Sequence, residues 1–166
     1  MPTDAKLRER IHADTPQVRA DLERLVSIPS VSAVDWDPEP LRRSADAVAE
    51  MLRDVGAEVK ILRSDRGHPA VVGYVPAPPG APTALLYAHH DVQPPGPESD
   101  WGSPAFAPTS RDGRLYGRGS SDDKAGVVAH IATLRAFGGK PPVGVAVFIE
   151  GEEEAGSENL RSYLEQ

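Results

Sequence analysis

Hydrophobic positions recur with two different periods along the chain, and the change of period marks the elements. Helical spacing runs through the first dozen residues. It resumes from Asp14 or Thr15, where Pro16 takes a first-turn position and Val18, Leu22, Leu25 and Val26 share one face. This predicts two helices in succession, the second closed at Ile28-Pro29, because a residue before proline is pushed out of the helical region. Another helix is predicted from Pro40, with Leu41, Ala45, Val48, Leu52 and Val55 on its inner side and Gly56 suited to a left-handed cap. The period then shortens to two over residues 58–62 and 70–75, which reads as two strands, and a proline- and glycine-rich turn at 76–82 joins the second of them to the next.

A third strand follows in Ala84-Leu85-Leu86-Tyr87-Ala88-His89-His90-Asp91, apolar enough to be expected at the centre of a sheet. Residues 93–110 are loop by composition, and Asp112-Gly113 is a turn before Arg114-Leu115-Tyr116. A glycine-rich loop at 117–126 feeds a helix whose inner face is Val127, Val128, Ile131, Leu134 and Phe137, ended by Gly138-Gly139. Residues 143–149 form a strand expected to be buried on both faces. Ser157 is expected to cap a last helix carrying Leu160, Tyr163 and Leu164. Helices and strands in this order predict an α/β fold, a three-layer αβα sandwich with a mixed, mostly parallel sheet and helices on both faces. In such sheets ligands gather beyond the carboxyl ends of the strands. The acidic and histidine-bearing stretches of this chain all fall at strand exits or in the loop before a helix.

Composition narrows the chemistry. Hydrophobic residues make up 39% and charged residues 26% of 166 positions, which suits one soluble domain or part of a larger one. A net charge of −7 argues against a nucleic-acid partner, since phosphate binding needs a basic face. No cysteine is present, so disulfides, thiolate metal sites and thiol nucleophiles are excluded, and a metal would be held by imidazole and carboxylate. The N-terminus lacks the apolar core of a signal peptide, and no run approaches the roughly 20 apolar residues of a membrane span. A cytoplasmic protein with no membrane partner is the expectation.

Three stretches carry candidate chemistry. On a strand His89 and Asp91 share one face while His90 takes the other, which suits a metal ligand and the group that orients it. Taken alone the triplet fits a buried structural pair equally well. The loop Gly117-Arg118-Gly119-Ser120-Ser121-Asp122-Asp123-Lys124 lacks the spacing of a phosphate loop and presents carboxylates where phosphate needs donors, which excludes a nucleotide. Either aspartate alone would read as a helix cap. The run Glu152-Glu153-Glu154 reads either as a solvated acidic turn or, since it follows a buried strand directly, as a source of one metal ligand and one general base.

In combination the stretches are more specific. Tyr-Ala-His-His-Asp-Val-Gln-Pro, Leu-Tyr-Gly-Arg-Gly-Ser-Ser-Asp-Asp-Lys-Ala-Gly and Glu-Gly-Glu-Glu-Glu-Ala-Gly-Ser occur in this order, with positions 89, 122 and 154 separated by 33 and 32 residues. From about residue 16 onward this resembles the M20 family of dinuclear zinc peptidases, most closely its dipeptidase and carnosinase-like branch. The resemblance implies that His89 binds one zinc, with Asp91 orienting its ring. It implies that Asp122 bridges two Zn2+ ions (Mn2+ or Co2+ being alternatives), with the Asp122–Asp123 peptide cis as in relatives. Glu153 would be the general base and Glu154 a ligand of the second zinc. His90 is left outside the site; His12, His68 and His130 match no motif and are expected on helix or strand surfaces.

The implied function is hydrolysis of the amide bond of dipeptides or short peptides by a water between the two metals. Members of the family complete each metal's ligand set with a downstream aspartate and histidine, and carry an inserted domain that dimerises. Residues 1–166 are therefore expected to be the N-terminal part of a catalytic domain, from a protein that is homodimeric when full-length. Each zinc would keep two of three protein ligands, and the piece alone would bind zinc weakly and hydrolyse little. Alternatives are an N-acyl-amino-acid deacylase or carboxypeptidase of the same family, and a noncatalytic metal-binding or assembly module.

Overall fold

The computed structural model describes residues 2–65 and 67–166. Helix α1 runs over Asp4–Val26 and α2 over Glu39–Asp54. Strands β1 (Glu58–Leu62), β2 (Ala70–Val75) and β3 (Thr83–His89) follow. The hairpin β4 (Thr109–Arg111) and β5 (Arg114–Tyr116) leads to α3 (Lys124–Ala136), β6 (Gly144–Glu150) and α4 (Leu160–Leu164). The main sheet has the order β1-β2-β6-β3. β1 and β6 each pair antiparallel with β2, and β3 pairs parallel with β6. Three strands thus run one way and β2 runs against them, the mixed α/β sheet expected.

Helices α1, α2 and α3 cover one face. Leu25, Val48, Leu52, Val127, Ile131 and Leu134 meet Val71, Val75, Val145, Val147 and Ile149 there. Each such fully buried aliphatic side chain contributes about 1.5–3 kcal/mol relative to exposure. Gly73 keeps this layer tight, because a Cβ there would sit 3.2 Å from Leu52 Cδ1. Among the described residues the opposite face carries α4 alone, whose Tyr163 packs with Leu62, Ala70 and Phe148. The third layer is therefore thin.

Four expectations need correction. The two opening helices are one: Pro16 lies inside α1, and its missing N–H withholds a helical donor from the carbonyl of the exposed His12, which water can serve. Contacts on both sides of the proline hold the helix through it: Arg10 donates to the Ala136 carbonyl, and Arg135 pairs with Asp14 and Asp21. β3 is not central. Among the described residues it pairs only with β6, and Leu85 and Tyr87 are 69% and 47% exposed. The central place between β2 and β3 belongs to β6, whose Gly-Val-Ala-Val-Phe-Ile-Glu run is covered on both faces. Ser157 does not cap α4. It sits at φ +56°, away from the extended backbone a capping serine needs, and Asn159 holds the N-cap position instead. His68, finally, lies in the loop between β1 and β2 rather than on a helix or strand surface, its Nε2 3.3 Å from the Ser32 carbonyl.

Candidate metal centre

Parallel pairing of β3 with β6 puts their carboxyl ends side by side, with His89 in register with Glu150. The glycine loop delivers Asp122 and Asp123 to the same edge before α3 begins at Lys124. Three segments far apart in the chain thereby meet. His89 Nε2 is 3.0 Å from Asp122 Oδ1 and 3.8 Å from Glu153 Oε2. One ligand atom each from His89, Asp122 and Glu154 lies within 4.8 Å of the others. The Asp122–Asp123 peptide is cis.

The cluster is anchored on its protein side and open on the other. The His89 side chain is 6% exposed, whereas that of Asp122 is 79% exposed and that of Glu153 44%. Asp91 is fully buried behind the ring and gathers four donors. His89 Nδ1 lies 3.2 Å from the Asp91 backbone carbonyl and 3.3 Å from Asp91 Oδ1, which also accepts the Glu153 N–H at 3.2 Å. Its Oδ2 accepts the Ser32 hydroxyl at 2.6 Å and the Glu154 N–H at 3.0 Å. Burial alone would push this carboxyl up, but His89 and Ser32 hold it below the ordinary carboxylate range. Gln93 donates to Glu154 Oε2 at 2.8 Å.

Burial works against a charged His89, yet Asp91 and then Asp122 outweigh it and raise the ring to about 9. With Nδ1 turned to Asp91, Nε2 is the atom offered to the carboxylates, and a divalent cation there would take the place of its proton. Among the described residues no Lys or Arg pairs with Asp122, Glu153 or Glu154, so three carboxylates face one another around a single imidazole. Nitrogen and oxygen donors without thiolate suit zinc, manganese or cobalt. The donor set fits a divalent metal.

Other candidates fall elsewhere. His90 is fully buried, its Nε2 2.8 Å from the Pro69 carbonyl, and burial lowers it to about 4. Glu152 turns away from its two neighbours. It accepts the Asn159 N–H at 2.6 Å and the His68 N–H at 3.1 Å, fastening α4 and the β1–β2 loop beneath the cluster. Lys124 is fully buried and donates to the Leu25 and Ile28 carbonyls, both at 2.7 Å, tying the Asp122 loop to the end of α1. Burial lowers its ammonium to about 7, with Asp91 pulling the other way. Sequence reasoning passed over Ser32, Gln93, Lys124 and the fastening role of Glu152. The first two carry no local mark. A lysine just inside an otherwise apolar helix face was the one signal that could have been read.

The family model of peptidase family M20/M25/M40 matches residues 85–166, which hold all three stretches. The fold of human carnosine dipeptidase 1 superposes with a TM-score of 0.89 at 30% identity, over 97% of this chain and 37% of that one. The chain belongs to the M20 peptidase family. Among curated M20 relatives, the Cys-Gly metallodipeptidase dug1 of Schizosaccharomyces pombe is 35% identical over 96% of this chain and 36% of its own length. A succinyl-diaminopimelate desuccinylase of Rhodopseudomonas palustris is 34% identical over 84% of this chain and 36% of its own. The chain spans about a third of the length of the relatives it matches. Among the described residues, no helix is long and apolar enough to cross a membrane.

Proposed function

We propose that these 166 residues form part of the catalytic domain of a zinc-dependent hydrolase that cleaves the amide bond of dipeptides or short peptides. The observation that carries this reading is the approach of His89, Asp122 and Glu154 ligand atoms to within 4.8 Å of one another at the carboxyl ends of two parallel strands. His89, Asp122 and Glu154 would hold the metal ions, with Asp122 shared between them. Two zinc ions bound there supply a carbonyl-polarising charge and an acidified attacking water. Glu153 stands beside the same ring with a half-exposed carboxylate, takes the proton of the attacking water and returns it to the leaving amine. Asp91 keeps the His89 ring and the Glu153–Glu154 backbone in a fixed relation.

With two protein ligands for each ion, the chain alone binds metal weakly and turns over little. Cobalt titration tests the site without relying on activity. The chain should take up two ions, His89→Gln and Glu154→Gln should each weaken one of them, and Glu153→Gln should leave uptake unchanged. In any preparation that hydrolyses dipeptides, Glu153→Gln should lower kcat by about 10²–10⁴; turnover that survives this substitution would sink the assignment. A second reading within the same chemistry, removal of an acyl group from an amino acid, is favoured by the similarity to a desuccinylase. Comparing Cys-Gly with an N-succinyl amino acid as substrates separates the two.

A further inference from the structure

Ser32 lies 59 positions before Asp91 in the chain and touches none of the candidate ligands, yet its hydroxyl donates to Asp91 Oδ2 at 2.6 Å. It is brought there by an isolated parallel bridge between Val31 and Val92. In that bridge the Val92 N–H donates to the Ser30 carbonyl at 2.9 Å and the Ser32 N–H to the Val92 carbonyl at 3.3 Å. Ser32 is 3% exposed, so no water competes for the bond. The torsion that turns a carboxylate about its Cβ–Cγ bond is soft, and only its partners decide which oxygen faces where. For Asp91 this choice matters. Oδ1 serves the His89 ring and the Glu153 N–H, while Oδ2 serves the Glu154 N–H.

We propose that Ser32 is a positioning residue of the metal centre: its hydroxyl locks the rotation of the Asp91 carboxylate and so sets both the His89 ring and the turn that carries Glu153 and Glu154. This rests on the metal reading given above. Without the hydroxyl, Oδ2 keeps one donor instead of two and the carboxylate can swing. The imidazole and the glutamate backbone then lose a common reference, although every ligand side chain is still present. Groups that orient a metal's ligands typically change affinity by 10–100-fold, and one step further out the expected loss is about tenfold.

The test compares Ser32→Ala with Ser30→Ala by cobalt titration in the visible range, alongside urea unfolding of the metal-free chains. Ser30 is equally buried and its hydroxyl donates at 2.7 Å to the His90 carbonyl, so its loss damages the same segment without touching Asp91. Ser32→Ala should bind cobalt about tenfold more weakly and shift the ligand-field band. Ser30→Ala should lose comparable stability yet keep the affinity and spectrum of the unmodified chain. Ser32→Thr, which retains the hydroxyl, should restore both. Should Ser32→Ala not fold, Ser32→Cys, of similar size and with only a weak donor, carries the same expectation. Unchanged affinity and spectrum in Ser32→Ala, or equal weakening in both serine variants, would overturn the proposal. An unmodified chain that takes up no cobalt would remove the metal reading itself, and this inference with it.

Discussion

Replacing Lys124 by methionine asks what a buried ammonium contributes behind the candidate centre. Among the described residues its hydrogen-bond partners are the Leu25 and Ile28 carbonyls, each at 2.7 Å. Two effects oppose one another. The substitution removes two hydrogen bonds from a charged donor, worth about 1.5–3 kcal/mol each, and leaves the Leu25 and Ile28 carbonyls with only the Ile28 and Ser30 N–H groups as donors. It also relieves the burial of a charge, which holds the ammonium down from the ordinary 10.5 to about 7. These nearly cancel at neutral pH, so the net change there decides little. The pH dependence decides more. Between about 7 and 10.5 the unfolded chain binds more protons at this lysine than the folded one, so stability rises with pH across that window. At about 1.4 kcal/mol per unit, the lysine should gain about 3 kcal/mol between pH 6 and pH 9.5. Urea unfolding of both chains in EDTA, followed by circular dichroism, measures it. The difference in unfolding free energy, native minus variant, should widen by that amount in favour of the native chain, because all other titrating groups are common to both. A difference that stays level or narrows over this range would refute the picture of a desolvated ammonium held by two carbonyls.

Three further substitutions test the frame of the fold. A Cβ at Gly151 would collide with the Pro69 carbonyl oxygen and lie 2.8 Å from His90 Nε2, whereas Gly56, at φ +86°, has open space around it. Gly151→Ala should therefore cost more than about 3 kcal/mol in urea unfolding and Gly56→Ala only about 1 kcal/mol, the strain of a left-handed residue; equal costs would show that the β6 exit is not packed as described. Pro16→Ala should raise the melting temperature, since it restores an N–H for the His12 carbonyl in mid-helix at an exposed position. A lower melting temperature would mean that the proline shapes α1 rather than being tolerated by it.

Local rules carried much of the architecture. Pro40 and Gly56 bracket α2, alternation over residues 58–62 and 70–75 coincides with β1 and β2, and the apolar run before Glu150 is the strand buried on both faces. Each of these elements is specified by neighbours within a few residues, which is why reading the chain by itself suffices. It also supplied the chemical types of the centre: one imidazole and several carboxylates at strand exits, with no thiol. What no local pattern could supply is which strand lies beside which. β3 and β6 are both apolar, and only pairing in space makes one central and the other an edge with Leu85 and Tyr87 exposed. The same pairing, in register at His89 and Glu150, turns motifs more than thirty residues apart into one cluster. Ser32, Lys124 and Glu152 stayed silent in the chain because they bind a distant carboxylate, backbone carbonyls and backbone N–H groups. Such partners leave no trace in spacing. The sequence by itself determined the elements and the donor atoms; the tertiary structure alone decided their convergence, because pairing and burial depend on residues that sequence distance keeps apart.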